Sequence, residues 1–185
     1  MHRIVRHRPA GLALLAALTL PAPAGAYVID GMPAPSPAPI AAASPPSFPV
    51  RGDYDLGTHE NRFGGGRAHE GQDILTDCGT PVLAAREGRV AVARWHDAAG
   101  NFAVVETRSG RAHVYMHLLA PARVAVGDRI EAGARIGGVG QTGRASTCHL
   151  HFEQWTAPGW YEGGRPVDPA PLLRELATDS RLPSR

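Results

Sequence analysis

From residue 88 to residue 154 the chain is cut into short β-rich runs by glycine-bearing turns, and that punctuation limits the fold more than any other feature. The runs are 89–93, 102–107, 112–118 and 149–154. Gly88, Ala99-Gly100-Asn101, Ser109-Gly110 and Gly127-Asp128 supply the turns, where positive φ and local side-chain hydrogen bonds reverse a chain easily. Helical periodicity emerges only at Pro171-Leu172-Leu173-Arg174-Glu175-Leu176, enough for one or two terminal turns. The expected class is mainly β, with antiparallel sheets in a two-layer or barrel-sandwich arrangement and a short C-terminal helical turn.

The first 26 residues have the pattern of an export signal. His2, Arg3, Arg6, His7 and Arg8 make a basic start, and residues 11–20 form an apolar run too short to span a bilayer. Ala24 and Ala26 then fit the small-residue rule for cleavage. Residues 27–48 are dominated by Pro, Ala and Ser. Such a stretch buries too little apolar surface to offset its ordering entropy, so an extended linker is expected. One domain remains over 49–177, long enough to bury its own core, followed by a disordered tail over 178–185.

Removing the signal reverses the charge argument. Three of the 19 basic residues and none of the 17 acidic ones lie in it, leaving 16 against 17 and a formal charge of −1. No basic surface is left to suggest nucleic acid, and stable membrane insertion is not expected after cleavage. The expectation is a monomer that is secreted or held in a bacterial cell envelope.

Against this scaffold five residues carry metal-site chemistry: His69 and Asp73, His117, and His149 and His151. Imidazole and carboxylate are zinc ligands, commonly three from protein with a fourth position open. An imidazole left over titrates near neutral pH and suits acid–base work. On a strand His149 and His151 share a face roughly 6–7 Å apart. A straight strand would hold His69 and Asp73 roughly 13 Å apart, so a bend is required, and Gly71 is the residue best able to give it. His113, Tyr115 and His117 alternate and are expected on one face, with His113 structural or exposed. Each of these patterns alone also fits ordinary strand histidines.

Together they become specific. The sequence His69-x-Gly71-x-Asp73, Cys78-Gly79-Thr80-Pro81-Val82, Tyr115-x-His117-Leu118, Val126-Gly127-Asp128, Gly140-x-Thr142-Gly143 and His149-Leu150-His151-Phe152-Glu153 runs in this order. Val167-Asp168-Pro169 closes it. In that order the chain resembles the lysostaphin and LytM-type zinc endopeptidases, which cut the peptides of peptidoglycan. The resemblance implies a peptidase core over nearly the whole domain, with His69, Asp73 and His151 as zinc ligands. His117 and His149 would be the catalytic histidines, sharing the roles of base and acid. The implied substrate is the peptide part of peptidoglycan. Ala145-Ser146-Thr147-Cys148 departs from the Ser-Thr-Gly type of turn common in the family, which bears on the shape of the groove rather than on the ligands.

Cys78 and Cys148 are the only cysteines, and in an exported chain they are expected to form one bridge. The rival, Cys148 as a zinc ligand, is disfavoured because strand alternation turns it away from His149 and His151. Tyr115, Trp155, Trp160 and Tyr161 are candidates for lining a substrate groove, with packing beneath the loop as the alternative for the last three. Residues 124–140 resemble a hairpin of biotin- and lipoyl-carrier domains, but those need a lysine and this chain has none. A zinc D-alanyl carboxypeptidase matches the ligand order less well. The remaining alternative is a catalytically inert LytM-like domain that binds and regulates a wall hydrolase.

Overall fold

The computed structural model describes residues 44–66 and 68–179; the expected signal peptide, the linker up to residue 43 and the tail from residue 180 lie outside them. Among the described residues, nine strands and one α-helix follow a 3-10 turn at His59–Asn61: β1 (Gln72–Leu75), β2 (Pro81–Leu83), β3 (Gly88–His96), β4 (Gly100–Thr107), β5 (Ala112–Leu118), β6 (Arg129–Ile130), β7 (Arg135–Gly138), β8 (His149–Trp155), β9 (Pro166–Val167) and α1 (Ala170–Asp179). A seven-stranded sheet has the order β1-β8-β5-β4-β3-β6, with β9 also on β8, and β2 and β7 form a second sheet. Every ladder is antiparallel. The four longest strands coincide with the four β-rich runs of the sequence. The two- to four-residue strands are too short to carry an alternation signal.

The large sheet separates two apolar clusters, as its period of two requires. On one face Ile74, Leu150, Phe152, Tyr115, Ala103 and Val105 pack against Val82 and Ile136 of the small sheet and Leu172, Leu173 and Leu176 of α1. On the other face lie Phe102, Val104, Ala112, Val114 and Trp155. Two boundaries differ from expectation. Phe48, at the end of the expected linker, is 4% exposed and stacks on Tyr54. The helix also continues through Thr178 and Asp179, into the expected tail. Among the described residues no helix is long and apolar enough to cross a membrane.

A disulfide joins Cys78 and Cys148 across 70 residues, tying the turn after β1 to the residue that precedes β8. Closing a loop of that length removes chain entropy worth roughly 4 kcal/mol, and loss of a native bridge typically costs 2–5 kcal/mol. Replacing both cysteines by serine should therefore lower the unfolding free energy by that amount, read from denaturant titration, and the native protein should show no thiol reactive to Ellman's reagent.

His113 faces the first cluster, 1% exposed, and its Nδ1 has no hydrogen-bond partner among the described residues. Burial, assisted by the charges of Arg86 and Arg111, pushes its pKa down to about 4. The folded state thus holds His113 neutral while the unfolded chain protonates it below about 6.5. The associated stability is intact above pH 6.5 and is lost as pH falls to 4, a change of roughly 3 kcal/mol. His113→Met should lack that part of the acid dependence, measured as the difference in unfolding free energy at pH 7 and pH 4.

Candidate metal centre and active site

The cluster is assembled by register rather than by proximity in sequence. β1 pairs with β8 so that Asp73 stands opposite His151 and Leu75 opposite His149. Alternation sends Asp73, His149 and His151 to the face away from the main core. His69 precedes β1, and the chain bends at Gly71 to bring it back. A Cβ on Gly71 would lie 2.5 Å from the Phe152 carbonyl oxygen and 2.8 Å from His151 Nε2, so the bend leaves room for glycine alone. The loop before it is fastened by Gln72, whose amide donates to the carbonyls of Leu56 and Asn61.

Three atoms converge at the centre. His69 Nε2 lies 3.1 Å and His151 Nδ1 3.0 Å from Asp73 Oδ1, and the two nitrogens are 2.9 Å apart. Outer partners fix which nitrogen of each ring is free. His69 Nδ1 donates to the carbonyl of Arg62, and His151 Nε2 donates to Glu153 Oε1. Glu153 is held in turn by Trp155 Nε1, 2.7 Å from Oε2. The other oxygen of Asp73 accepts from Asn61 Nδ2. Neutral rings in these tautomers would point two lone pairs and a carboxylate at one another, which is repulsive unless a proton or a cation lies between.

The ionisation of the site follows. Burial pushes Asp73 up, but hydrogen bonds from His151 and His69 and the charges of His151 and His149 outweigh it and hold the carboxyl far below its usual range. Burial lowers His151, yet the hydrogen bonds and charges of Asp73 and Glu153 win and raise it to about 9. Without a metal, then, a proton sits on His151 Nδ1, where a cation would have to displace it. The donor set of two imidazoles and one carboxylate suits zinc, whose tetrahedral ligands stand about 3.3 Å apart. The three donors present are only slightly closer, so they fit.

His117 reaches this face through a break in the ladder. Asn101 pairs with Leu118 and Ala103 with Tyr115, leaving Met116 and His117 together opposite Phe102, a β-bulge. His117 has φ 62, which costs a non-glycine residue about 1–3 kcal/mol. The expected common face of His113, Tyr115 and His117 is therefore wrong for His117. The extra residue turns it to the side of Met116, whose partner is His151. Its ring stands 4.8 Å from that of His149 and 6.0 Å from that of His151. Its Nδ1 donates to the Thr142 carbonyl, and His149 Nδ1 donates to the Thr147 carbonyl. Each ring thus keeps an Nε2 lone pair, that of His149 being 3.6 Å from Asp73 Oδ1. Burial, with the charges of His149 and His151, pushes His117 down to about 4 against the opposing pull of Thr142 and Asp73.

A groove of about 970 Å³ contains all five residues. Trp160 lines it, together with Tyr161 and Phe102. Two expected groove residues do not. Tyr115 is 0% exposed on the opposite face, its hydroxyl accepting from the Ala85 backbone N–H. Trp155 shares the face of His151 but is 3% exposed, covered by Tyr161 and committed to Glu153. Glu153, Thr142 and Asn61 are the supporting residues that sequence reasoning left without a role. Alternation from His151 would have found Glu153; Thr142 and Asn61 act across loops and left no local signal.

A mainly β domain of two sheets, carrying a two-histidine, one-carboxylate cluster beside two further histidines in a groove, has the makings of a metal-dependent hydrolase. The profile of Peptidase family M23 matches residues 67–169, and the chain belongs to that family. It is 34% identical over 133 residues to a glycyl-glycine endopeptidase of Staphylococcus capitis, covering 71% of this chain and 36% of the relative. It is also 34% identical over 117 residues to a peptidoglycan DD-endopeptidase of Vibrio cholerae, covering 61% and 26%. The chain thus spans about a quarter to a third of these relatives. Among solved structures, the catalytic domain of lysostaphin from Staphylococcus simulans matches with a TM-score of 0.54 at 34% identity, over 68% of this chain and 89% of that one. A zinc-containing peptidase from Vibrio cholerae matches with a TM-score of 0.50 at 32% identity, over 67% and 35%.

Proposed function

We propose that this protein is an exported, zinc-dependent endopeptidase that hydrolyses peptide bonds in the peptide part of bacterial peptidoglycan. The observation that carries this reading is the convergence of His69 Nε2, Asp73 Oδ1 and His151 Nδ1 with their tautomers fixed from outside, next to two histidines whose Nε2 atoms are free. His69, Asp73 and His151 hold the zinc. When bound there, zinc supplies a Lewis acid that polarises a peptide carbonyl and makes water acidic near neutral pH. The substrate class is that of the Vibrio cholerae peptidoglycan DD-endopeptidase and agrees with an export signal.

The chain's own residues handle the protons. His117 is neutral at pH 7, with its Nδ1 proton donated to the Thr142 carbonyl, so its Nε2 is available to accept a proton. His149 Nε2 faces the Asp73 carboxylate at 3.6 Å, beside the cluster. The carbonyls of Thr142 and Thr147 keep both rings in register. The aromatic wall of Phe102, Trp160 and Tyr161 excludes water from one side of the groove.

Purified protein should contain close to one equivalent of zinc and release new peptide termini from isolated cell walls, and a chelator should abolish the release. Chelator-insensitive lysis would sink this reading, and zinc-loaded protein that cuts no wall peptide would favour the inert regulatory domain. The partners of the ligands provide a finer check. Glu153→Gln removes the charge behind His151 and should weaken zinc by about 10–100-fold, measured by competition with a chromophoric chelator.

A further inference from the structure

The groove is electrically two-sided. Across the sheet the strand order β1-β8-β5-β4-β3 sets the metal cluster near one end and Arg94 and His96 of β3 at the other. Arg144 stands on the same side, its backbone N–H donating to the Ala98 carbonyl at the β3–β4 turn. Glu60 and Glu70 line the groove at the end nearest His69. The arginines that carry ion pairs, Arg86 with Glu175 and Arg108 with Glu87, are elsewhere. Arg94 and Arg144 have no carboxylate partner among the described residues. The Arg94 guanidinium instead lies over the Phe102 ring, 5.7 Å from its centroid, facing the space a substrate would fill.

Resting on the peptidase reading above, we infer that Arg94 and Arg144 form a carboxylate-binding subsite, so that the enzyme selects peptides carrying a free carboxylate within about three residues of the bond it cuts. Spacing sets that reach. β8 and β4 are two strand steps apart, roughly 10 Å at 4.7–4.9 Å per step. Arg94 leans from β3 back over Phe102 of β4, so its guanidinium sits at about that distance from His151. An extended peptide covers 10 Å in about three residues. Arginine presents a fork of donors matched to a carboxylate, and the Phe102 ring 5.7 Å away holds that fork on the groove side. At the other end Glu60 and Glu70 repel the same carboxylate, so the charges also choose which way round the peptide lies. An uncharged run such as oligoglycine would leave both walls unused.

The test uses two synthetic cross-link peptides that are identical except that one bears a free carboxylate within three residues of the scissile bond and the other its amide. The wild-type protein is expected to cleave the carboxylate form with a kcat/KM about 10–100-fold higher, the range of a charge-assisted hydrogen bond, and the preference should shrink as salt rises. In Arg94→Gln/Arg144→Gln the ratio should fall to about one, chiefly through KM. The Arg94→Lys/Arg144→Lys form should retain part of it. A folding defect would lower both peptides alike and leave the ratio intact. Equal cleavage by the wild type, or an unchanged ratio in the glutamine variant, overturns the inference while leaving the peptidase standing. Failure to cut either peptide or isolated walls overturns the peptidase reading, and the subsite with it.

Discussion

His151→Ala is expected to lose zinc and hydrolysis together. His151 contributes one of the three donors that converge among the described residues, and its Nδ1 is 3.0 Å from Asp73 Oδ1 and 2.9 Å from His69 Nε2. Binding energies of about 10–16 kcal/mol for four-ligand zinc sites put each ligand at roughly 3 kcal/mol, above a hundredfold in affinity. The alanine also strands Glu153, a 3% exposed side chain whose Oε1 loses its donor. Metal analysis after dialysis against a weak chelator should give substoichiometric zinc, and wall-peptide release should fall to background. Full zinc retention in this variant would remove His151 from the ligand set.

How much of this was written in the sequence depends on the range of each signal. Strand alternation is local, so it gave the shared face of His149 and His151 and the exclusion of Cys148. The β-rich run bounded by turns has the same limits as the observed β5, Ala112–Leu118. Gly71 as a bend was legible because four residues separate two groups that must meet; the close approach of Phe152 that forbids a side chain there was not. The bulge escaped entirely. Nothing within β5 reveals that Met116 and His117 both oppose Phe102, because the irregularity is a property of two strands. Tyr115 was misassigned as a groove residue for the same reason. Alternation put it on one face with His117, but the bulge turns His117 away and leaves Tyr115 opposite Phe152, on the core side. Trp155 lay one residue past the expected strand end, and its cover comes from Tyr161 in a loop that has no period to read.

The bulge makes His117 the sharpest test of the mechanism. His117→Ala should keep its zinc and lose about 10²–10⁴ in rate, the scale of general acid–base catalysis. No donor of the metal cluster comes from this residue. Its ring touches the site only through His149 and His151, at 4.8 and 6.0 Å between centroids. The opposite pattern, metal lost from His117→Ala and kept by His151→Ala, would exchange the two assignments. A companion variant separates catalysis from folding. At φ 62 any β-carbon is strained, whereas glycine is not. His117→Gly should therefore be about 1 kcal/mol more stable than His117→Ala while being equally slow. A strained backbone that persists only to turn one imidazole from the core face to the groove face is a cost best explained by what that imidazole does there. Should the glycine form prove no more stable than the alanine form, the strain assigned to the bulge would be absent, and the argument from it would fall while the proton-transfer role stood on the rate alone.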